Sequence, residues 1–125
     1  MRSLFLITTA LLLTSCSAGK HVFDSKKAGA YLATHQDRPE PISRALSAGQ
    51  PAPGMTEEEV SLCWGQPDKR MIGQTGGVHM LAWGYFEPQI VAVSGARTVW
   101  RDVLIKEVRF TNGIVREWRE IGSGR

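Results

Sequence analysis

The fold is decided by the stretch GMTEEEVSLCWGQP, residues 54–67. Thr56 is suited to cap the start of a helix, and Glu59 stands three residues later. This is the capping-box spacing, in which hydroxyl and carboxylate satisfy each other's backbone amides. The acidic first turn complements the helix dipole, and Gly65 followed by a proline ends the helix. The stretch therefore predicts a short helix with Thr56, Glu59 and Gly65 as structural caps, and neither a metal cage nor an acid catalyst.

The segment before this helix is less regular. Residues 17–24 are small and polar, as expected of a tether, and residues 25–35 carry only a weak amphipathic pattern. The pattern leaves both a short helix and a free tether open for this segment. Pro41 at a first turn and Gly49 as a stop predict a second helix between them.

Strand patterns dominate the second half of the chain. Residues 68–77 predict a glycine-rich loop, and the alternation in residues 78–87 predicts a strand with Trp83 and Tyr85 on one face. Residues 88–98 predict a loop or flap with room for a short strand at 90–93. The run after it, broken by Asn112-Gly113, predicts a hairpin with a two-residue loop.

Such a loop sets a register in which Phe110 faces Val115 and Arg109 faces Arg116. The apolar residues further from the turn do not keep this phase. Either a β-bulge resets the pleat, or apolar side chains occupy both faces near Trp118.

The N-terminus carries an export pattern. An apolar run of about ten residues, 4–13, is too short to span a bilayer and fits a signal peptide. The tetrapeptide LTSC at 13–16 resembles a bacterial lipoprotein box. That resemblance implies removal of residues 1–15 and acylation of Cys16 with diacylglycerol and an amine-linked palmitate, and Ser17 favours the outer membrane. The alternative is an ordinary secretory signal that contains a cysteine.

Charge and composition exclude several classes of function. Fifteen basic and 12 acidic residues leave a mild net charge of +3, which argues against a nucleic-acid partner. If Cys16 is acylated, Cys63 is the only free thiol and no intrachain disulfide forms. His21, His35 and His79 stand in separate contexts, away from any nucleophile or carboxylate partner. We therefore expect no enzyme, no cofactor and no metal.

The order of these parts resembles the SmpA/OmlA (BamE-like) family of small outer-membrane lipoproteins. The resemblance rests on GMTEEEVSLCWGQP, the Trp83-x-Tyr85 strand and VRFTNGIVREW at 108–118, and it covers residues 41–120. It implies an α+β fold, ααβββ, with two short helices packed on one face of a three- to four-stranded antiparallel sheet. The domain is then 41–121, after a lipidated tether at 16–40 and before a tail at 122–125. The segment 88–98 is longer than the usual turn of the family.

The resemblance also implies a role. We expect a lipid-anchored scaffold or accessory lipoprotein on the periplasmic face of the outer membrane, binding an envelope protein in outer-membrane assembly or integrity. The alternative is an inhibitor-like or ligand-binding module of the same fold, similar to β-lactamase inhibitors, with residues 71–78 and 88–98 as its working surface.

The tryptophans divide between these roles. Trp64, Trp83 and Trp118 are expected in the core of a small domain without disulfides. Trp100 stands near Arg97 and Arg101 after the predicted flap. These three residues are the candidate surface for a protein partner, since exposed indoles are frequent binding anchors.

Overall fold

The computed structural model describes residues 22–121. The predicted signal peptide, Cys16, His21 and the tail from residue 122 lie outside the described residues. Within them the elements are α1 (Ser25–Thr34), α2 (Glu40–Ala48), α3 (Glu57–Trp64), β1 (Lys69–Thr75), β2 (Val78–Ser94), β3 (Arg97–Thr111) and β4 (Ile114–Glu120). The strands form one antiparallel sheet in the order β1-β2-β3-β4. The predicted α+β class is confirmed, with three helices before four strands.

The caps of α3 form as the local sequence predicts. The Thr56 hydroxyl accepts a hydrogen bond from the Glu59 amide at 3.3 Å, and the Glu59 carboxylate accepts one from the Thr56 amide at 3.0 Å. At the other end the Gly65 amide donates to the carbonyl of Ser61 at 2.8 Å. Both ends of the helix are thus fixed by residues within the helix and its flanks.

The segment left open as helix or tether contains α1. Asp24 caps its start by accepting from the amides of Lys26 and Lys27. Ala28 is fully buried, and the helix contacts both α2 and α3. At least this part of residues 16–40 therefore packs on the domain.

The helices cover one face of the sheet. The apolar core combines helix residues with residues from the middle of the sheet: Ile42, Leu46, Met55, Val60, Cys63, Trp64, Trp83, Tyr85, Val108, Phe110 and Val115. Trp64 packs edge-on against both Tyr85 and Trp118, with ring centroids 5.5 Å apart in each pair. Neighbours of opposite parity in the strands, such as Met80 and Arg109, are exposed on the other side. We call that side the open face.

The prediction of a glycine-rich loop at residues 68–77 is wrong. Residues 69–75 form β1, which pairs with β2 from Thr75↔Val78 to Lys69↔Gly84 around a Gly76-Gly77 turn. All seven residues of β1 are exposed. Because an edge strand outside the core has no buried face, its sequence carries no apolar alternation to reveal it.

The prediction of a loop at residues 88–98 is also wrong. β2 continues to Ser94, turns through Gly95-Ala96, and returns as β3 from Arg97. The outer strands do not reach this hairpin. The pairing of β1 with β2 ends at Gly84, and the pairing of β4 with β3 ends at Lys106. Residues 86–105 therefore form a two-stranded ribbon, which we call the arm. Eight residue steps along each strand give it a length of about 27 Å.

The C-terminal hairpin resolves its register with a bulge. Thr111↔Ile114 and Phe110↔Val115 pair as the two-residue loop requires, but a shift at Arg116 then places Arg109 opposite Glu117. The predicted pair of Arg109 with Arg116 is wrong, and of the two alternatives the β-bulge is present. The shift replaces two facing cations by an ion pair of 2.9 Å, and it brings Trp118 opposite the core residue Val108.

Candidate functional site

The predicted partner-binding residues all lie in the arm. Trp100 is 60% exposed and stands opposite Ile90, while Arg97 and Arg101 are exposed on the same strand. Successive side chains of a strand alternate between faces, and β3 has no bulge between residues 97 and 101. The two arginines therefore share one face and Trp100 lies on the other. The three residues are close in space but do not form one patch.

The face that carries Trp100 is apolar along most of the arm. It continues the open face of the sheet, and its cross-strand pairs are Phe86↔Leu104, Pro88↔Asp102, Ile90↔Trp100 and Val93↔Thr98. Ile90 is 52% exposed and Val93 68% exposed. We call these eight residues the apolar face of the arm; only Asp102 and Thr98 in it are polar.

Packing fixes the arm to the domain at its base. The Phe86 ring lies over Gly84, where a Cβ atom would come within 2.8 Å of the ring. The Lys69 ammonium stands 4.6 Å from the centroid of the same ring, a cation–π contact. The Phe86 amide donates to the Asp68 carboxylate at 2.8 Å. The arm thus leaves the sheet in a defined direction.

A charged cluster that no motif in the sequence predicts occupies the middle of the open face. Glu107 is only 5% exposed and accepts hydrogen bonds from Arg109 at 2.9 Å and from Arg119 at 2.6 and 2.9 Å. These bonds, Arg109's first, lower the pKa of Glu107 against the opposing effect of burial. The one sign of this cluster in the sequence is a pair of opposite charges two residues apart in each strand, Glu107 with Arg109 and Glu117 with Arg119. Side chains two residues apart lie on the same face of a strand.

Beside this cluster lies an open depression of about 550 Å³. Met71, Met80 and Ala82 supply apolar walls, and Arg116 reaches it from the bulge of β4. We call it the trough. It could hold an apolar group beside a cation, and it overlaps part of the predicted working surface at residues 71–78.

The groups weighed for chemistry are dispersed. Cys63 is buried in the core, where burial first and the charge of Glu59 second raise the pKa of its thiol to about 12. His35 stacks on Tyr31 with its Nδ1 atom 2.8 Å from the Tyr31 carbonyl oxygen, whereas His79 lies exposed on β2. Residues 22–121 contain no cluster of three or more His, Cys, Asp or Glu side chains able to hold a metal ion.

Comparison with known proteins finds no match: neither a family model, nor a curated protein, nor a solved structure aligns significantly with the chain. Among the described helices none has the length and apolar character required to cross a membrane.

Proposed function

We propose that the protein is a non-enzymatic, lipid-anchored envelope lipoprotein that binds a protein partner through its arm. One observation carries the proposal: Ile90, Val93 and Trp100 are exposed on a ribbon that no other described element covers. Contiguous exposed apolar residues are typical of interaction sites, and indoles are frequent binding anchors. A two-stranded hairpin is marginally stable alone, so the arm would gain from a partner.

The anchor belongs to the same proposal. The LTSC tetrapeptide at 13–16 supports acylation of Cys16 and attachment at the periplasmic face of the outer membrane. Several buried acyl chains make such attachment effectively permanent, whereas one chain is marginal. The resemblance to BamE-like lipoproteins supports a scaffold or accessory role in outer-membrane assembly or integrity. Metabolic labelling with a fatty acid tests the anchor, and the label must disappear in Cys16→Ser.

Photocrosslinking tests the arm. A photoreactive amino acid with an aromatic side chain, which keeps a ring at position 100, is expected to capture a discrete partner in intact cells. The matched control carries the same photoreactive amino acid in place of Ser47, an exposed residue of α2 away from the arm. Recovery of barrel-assembly components supports the scaffold role, while recovery of a single hydrolase favours the inhibitor-like alternative. Equal crosslinking from both positions contradicts the proposal.

Two tryptophan substitutions separate binding from folding. Trp100→Ala removes an exposed side chain and is expected to weaken partner capture with little change in melting temperature. Trp64→Ala empties a site that is only 3% exposed, and the loss of packing is expected to cost about 3–5 kcal/mol of unfolding free energy. A large loss of melting temperature in Trp100→Ala would show that Trp100 supports the fold and is not a binding residue.

The trough favours a second candidate function, a ligand-binding or inhibitor-like module. Its apolar walls suit an apolar group. Glu107 and Glu117 also line the trough but are paired with Arg109, which leaves Arg116 as the lining cation that can take a negative charge. In that case Met80→Glu, which places a carboxylate in the wall, abolishes partner capture while Trp100→Ala leaves it unchanged. For binding through the arm, we expect the opposite result, in which Trp100→Ala weakens partner capture and Met80→Glu leaves it unchanged.

A further inference from the structure

We infer that the partner enters as an extended strand, which pairs antiparallel with the outer edge of β3 at residues 98–104 and continues the row occupied by β4. The inference rests on the proposed binding role of the arm and names the element that the partner supplies. Strand addition to an exposed edge is a recurrent mode of peptide recognition, in which main-chain hydrogen bonds supply affinity and alternate side chains supply specificity.

The direction of the backbone groups in the arm follows from bonds at its base. The Gly84 carbonyl accepts from the Asp68 amide at 3.0 Å, and the Phe86 amide donates to the Asp68 side chain. Even-numbered residues of β2 before the Val91 bulge thus direct their polar groups away from β3. Directly opposite residues of an antiparallel pair have the same orientation. Trp100, Asp102 and Leu104 on β3 therefore direct their N–H and C=O groups outward as well.

These outward groups have no partner among residues 22–121. The last contact from the β4 side is the Ile121 amide, which donates to the Ile105 carbonyl at 2.7 Å. The next positions along β3 form an edge that no residue of the described part of the chain pairs with. We call residues 98–104 on this side the free edge. A strand entering here extends the sheet without displacing any described element.

The other strand edges are protected. On the β2 side of the arm, Pro88 has no N–H to offer, the Phe86 amide is already bonded to Asp68, and a bulge follows at Val91. The outer side of β4 is bonded at its start to the loop before α3, where the Val115 amide donates to the Met55 carbonyl and the Val115 carbonyl accepts from the Gly54 amide. The rest of this edge is densely charged, with Arg116, Glu117, Arg119 and Glu120, and charged edges pair poorly.

The outer edge of β1 is also less suited to pair with an incoming strand. It begins with two cations, Lys69 and Arg70, and carries Gly73 at its middle. Edge charges and strand glycines both weaken pairing. Proline, bulges and adjacent like charges are devices that block pairing. Residues 98–104 have no proline and no bulge, and their two charges, Arg101 and Asp102, are opposite in sign.

Charge defines the chemistry of the incoming strand. Neither Arg101 nor Asp102 forms an ion pair or a side-chain hydrogen bond within the described part of the chain. Their side chains point to opposite faces of the strand. Along the chain they are preceded by Trp100 and followed by Val103 and Leu104. An antiparallel strand with matching cross-strand pairs therefore reads, from its N-terminus, apolar, apolar, basic, acidic, apolar. The alternate charges also fix its register, because a slip of one residue moves every side chain to the other face.

Two synthetic peptides test the charge pattern on the full-length protein. The peptide TVVKEVT places its Lys opposite Asp102 and its Glu opposite Arg101, whereas TVVEKVT reverses both pairs. We expect fluorescence anisotropy to show about tenfold tighter binding of the first peptide, since each pair changes from favourable to unfavourable. In the double variant Arg101→Asp, Asp102→Arg the preference should invert. Equal affinities, or a preference that the double variant does not invert, overturn the inference.

Backbone methylation tests strand addition without changing the protein. In TVVKEVT the Lys amide faces the free edge and the Glu amide faces away from it. N-methylation at Lys should abolish binding, and N-methylation at Glu should leave it nearly unchanged. Loss of binding with both peptides, or with neither, shows that the contact is not a strand pairing.

The remaining outcomes separate this inference from the proposed function. If crosslinking from position 100 captures a partner but TVVKEVT does not bind, the binding role stands and strand addition is wrong. If the peptides behave as expected but no partner crosslinks, strand addition stands and the envelope role is wrong. If TVVKEVT binds only after removal of residues 122–125, those residues occupy the edge, and the inference of a partner strand is overturned.

Discussion

Substitution of Arg38 by alanine should destabilise the domain strongly, although the side chain is partly exposed. The guanidinium makes a two-pronged contact with Glu59, with donor–acceptor distances of 2.9 Å and 2.7 Å, and a third bond of 3.3 Å to the Gly54 carbonyl. Glu59 is fully buried. Without Arg38 its carboxylate keeps two neutral donors, the Thr56 amide at 3.0 Å and the Tyr31 hydroxyl, but no cation.

The size of the expected loss of stability follows from the burial of Arg38 and Glu59. Removing one partner of a buried pair costs about 3–5 kcal/mol, because the other charge stays uncompensated in a low dielectric. Arg38 itself is 24% exposed, so water can reach part of the vacated space. We therefore expect a loss of about 2–4 kcal/mol in urea unfolding followed by circular dichroism. A domain of this size should then melt roughly 10 °C lower or more.

Two further variants decide whether charge is the cause. Adding Glu59→Gln to Arg38→Ala removes the buried charge but keeps an acceptor for Thr56, and it should recover at least half of the loss. Arg44→Ala breaks an exposed pair with Glu40 and should cost less than about 0.5 kcal/mol. The reasoning is refuted if Arg38→Ala is no worse than Arg44→Ala, or if the second substitution recovers nothing.

Three other outcomes can be measured on the same chain. Glu107→Gln should lower stability at neutral pH, because the Arg109 and Arg119 hydrogen bonds lower the pKa of the folded carboxyl. Its deficit relative to the parent should shrink as pH falls below the ordinary value of 4.5 and vanish only below the lower pKa of the folded state, where the carboxyl is protonated in both states. In a Cys16→Ser chain, Cys63 should react with iodoacetamide at pH 8 at least about a thousandfold more slowly in the native than in the unfolded state. Burial raises the pKa of the thiol to about 12 and also keeps the reagent from it. Gly49 has φ 69°, and a Cβ atom there would lie 2.6 Å from the Phe23 ring, so Gly49→Ala should lower the free energy of unfolding by about 1 kcal/mol or more. A Cβ atom at the helical Gly29 meets no other atom, so Gly29→Ala should raise the free energy of unfolding by about 0.5–1 kcal/mol. Urea titrations that place the two glycine variants on the same side of the parent would contradict this.

Local chemistry explains which parts of the fold the sequence predicts well. The ends of α3 depend on Thr56, Glu59 and Gly65, which lie within ten residues of one another. The turn at Asn112-Gly113 is equally local. Such features are decided by neighbouring backbone groups before any tertiary contact forms, so the pattern alone identifies them.

The register of the last hairpin needed information that no local pattern holds. The turn fixes only the first two pairs, and the bulge at Arg116 then follows from what lies on each face. Trp118 must reach the core beside Trp64, and Arg109 must find Glu117 on the open face. Sequence alone showed that the phase was inconsistent, but the choice between a bulge and two apolar faces depended on these tertiary partners.

The candidate site was predicted in part. Trp100, Arg97 and Arg101 are exposed as expected, but their division between two faces required knowledge that residues 97–101 form a strand. The ion-pair cluster around Glu107 was missed. Alternating charges on one strand read as a solvated surface, and only the pairing of β3 with β4 brings Arg119 to Glu107.

Pro88 explains both why the arm was mistaken for a loop and which of its edges a partner can use. In a sequence, proline argues against a strand because it cannot donate to a ladder. Here it lies opposite Asp102 with its nitrogen directed to the solvent side of β2, so no ladder bond is lost. The same placement closes that edge to further pairing and leaves the opposite edge, at Trp100 and Leu104, as the one where a strand can add. A substitution of Pro88 by threonine should therefore add a free N–H to this edge, between the bonded Phe86 amide and the Val91 bulge, and should raise self-association in analytical ultracentrifugation. An unchanged oligomeric state would show that Phe86 and Val91 block the edge without the proline.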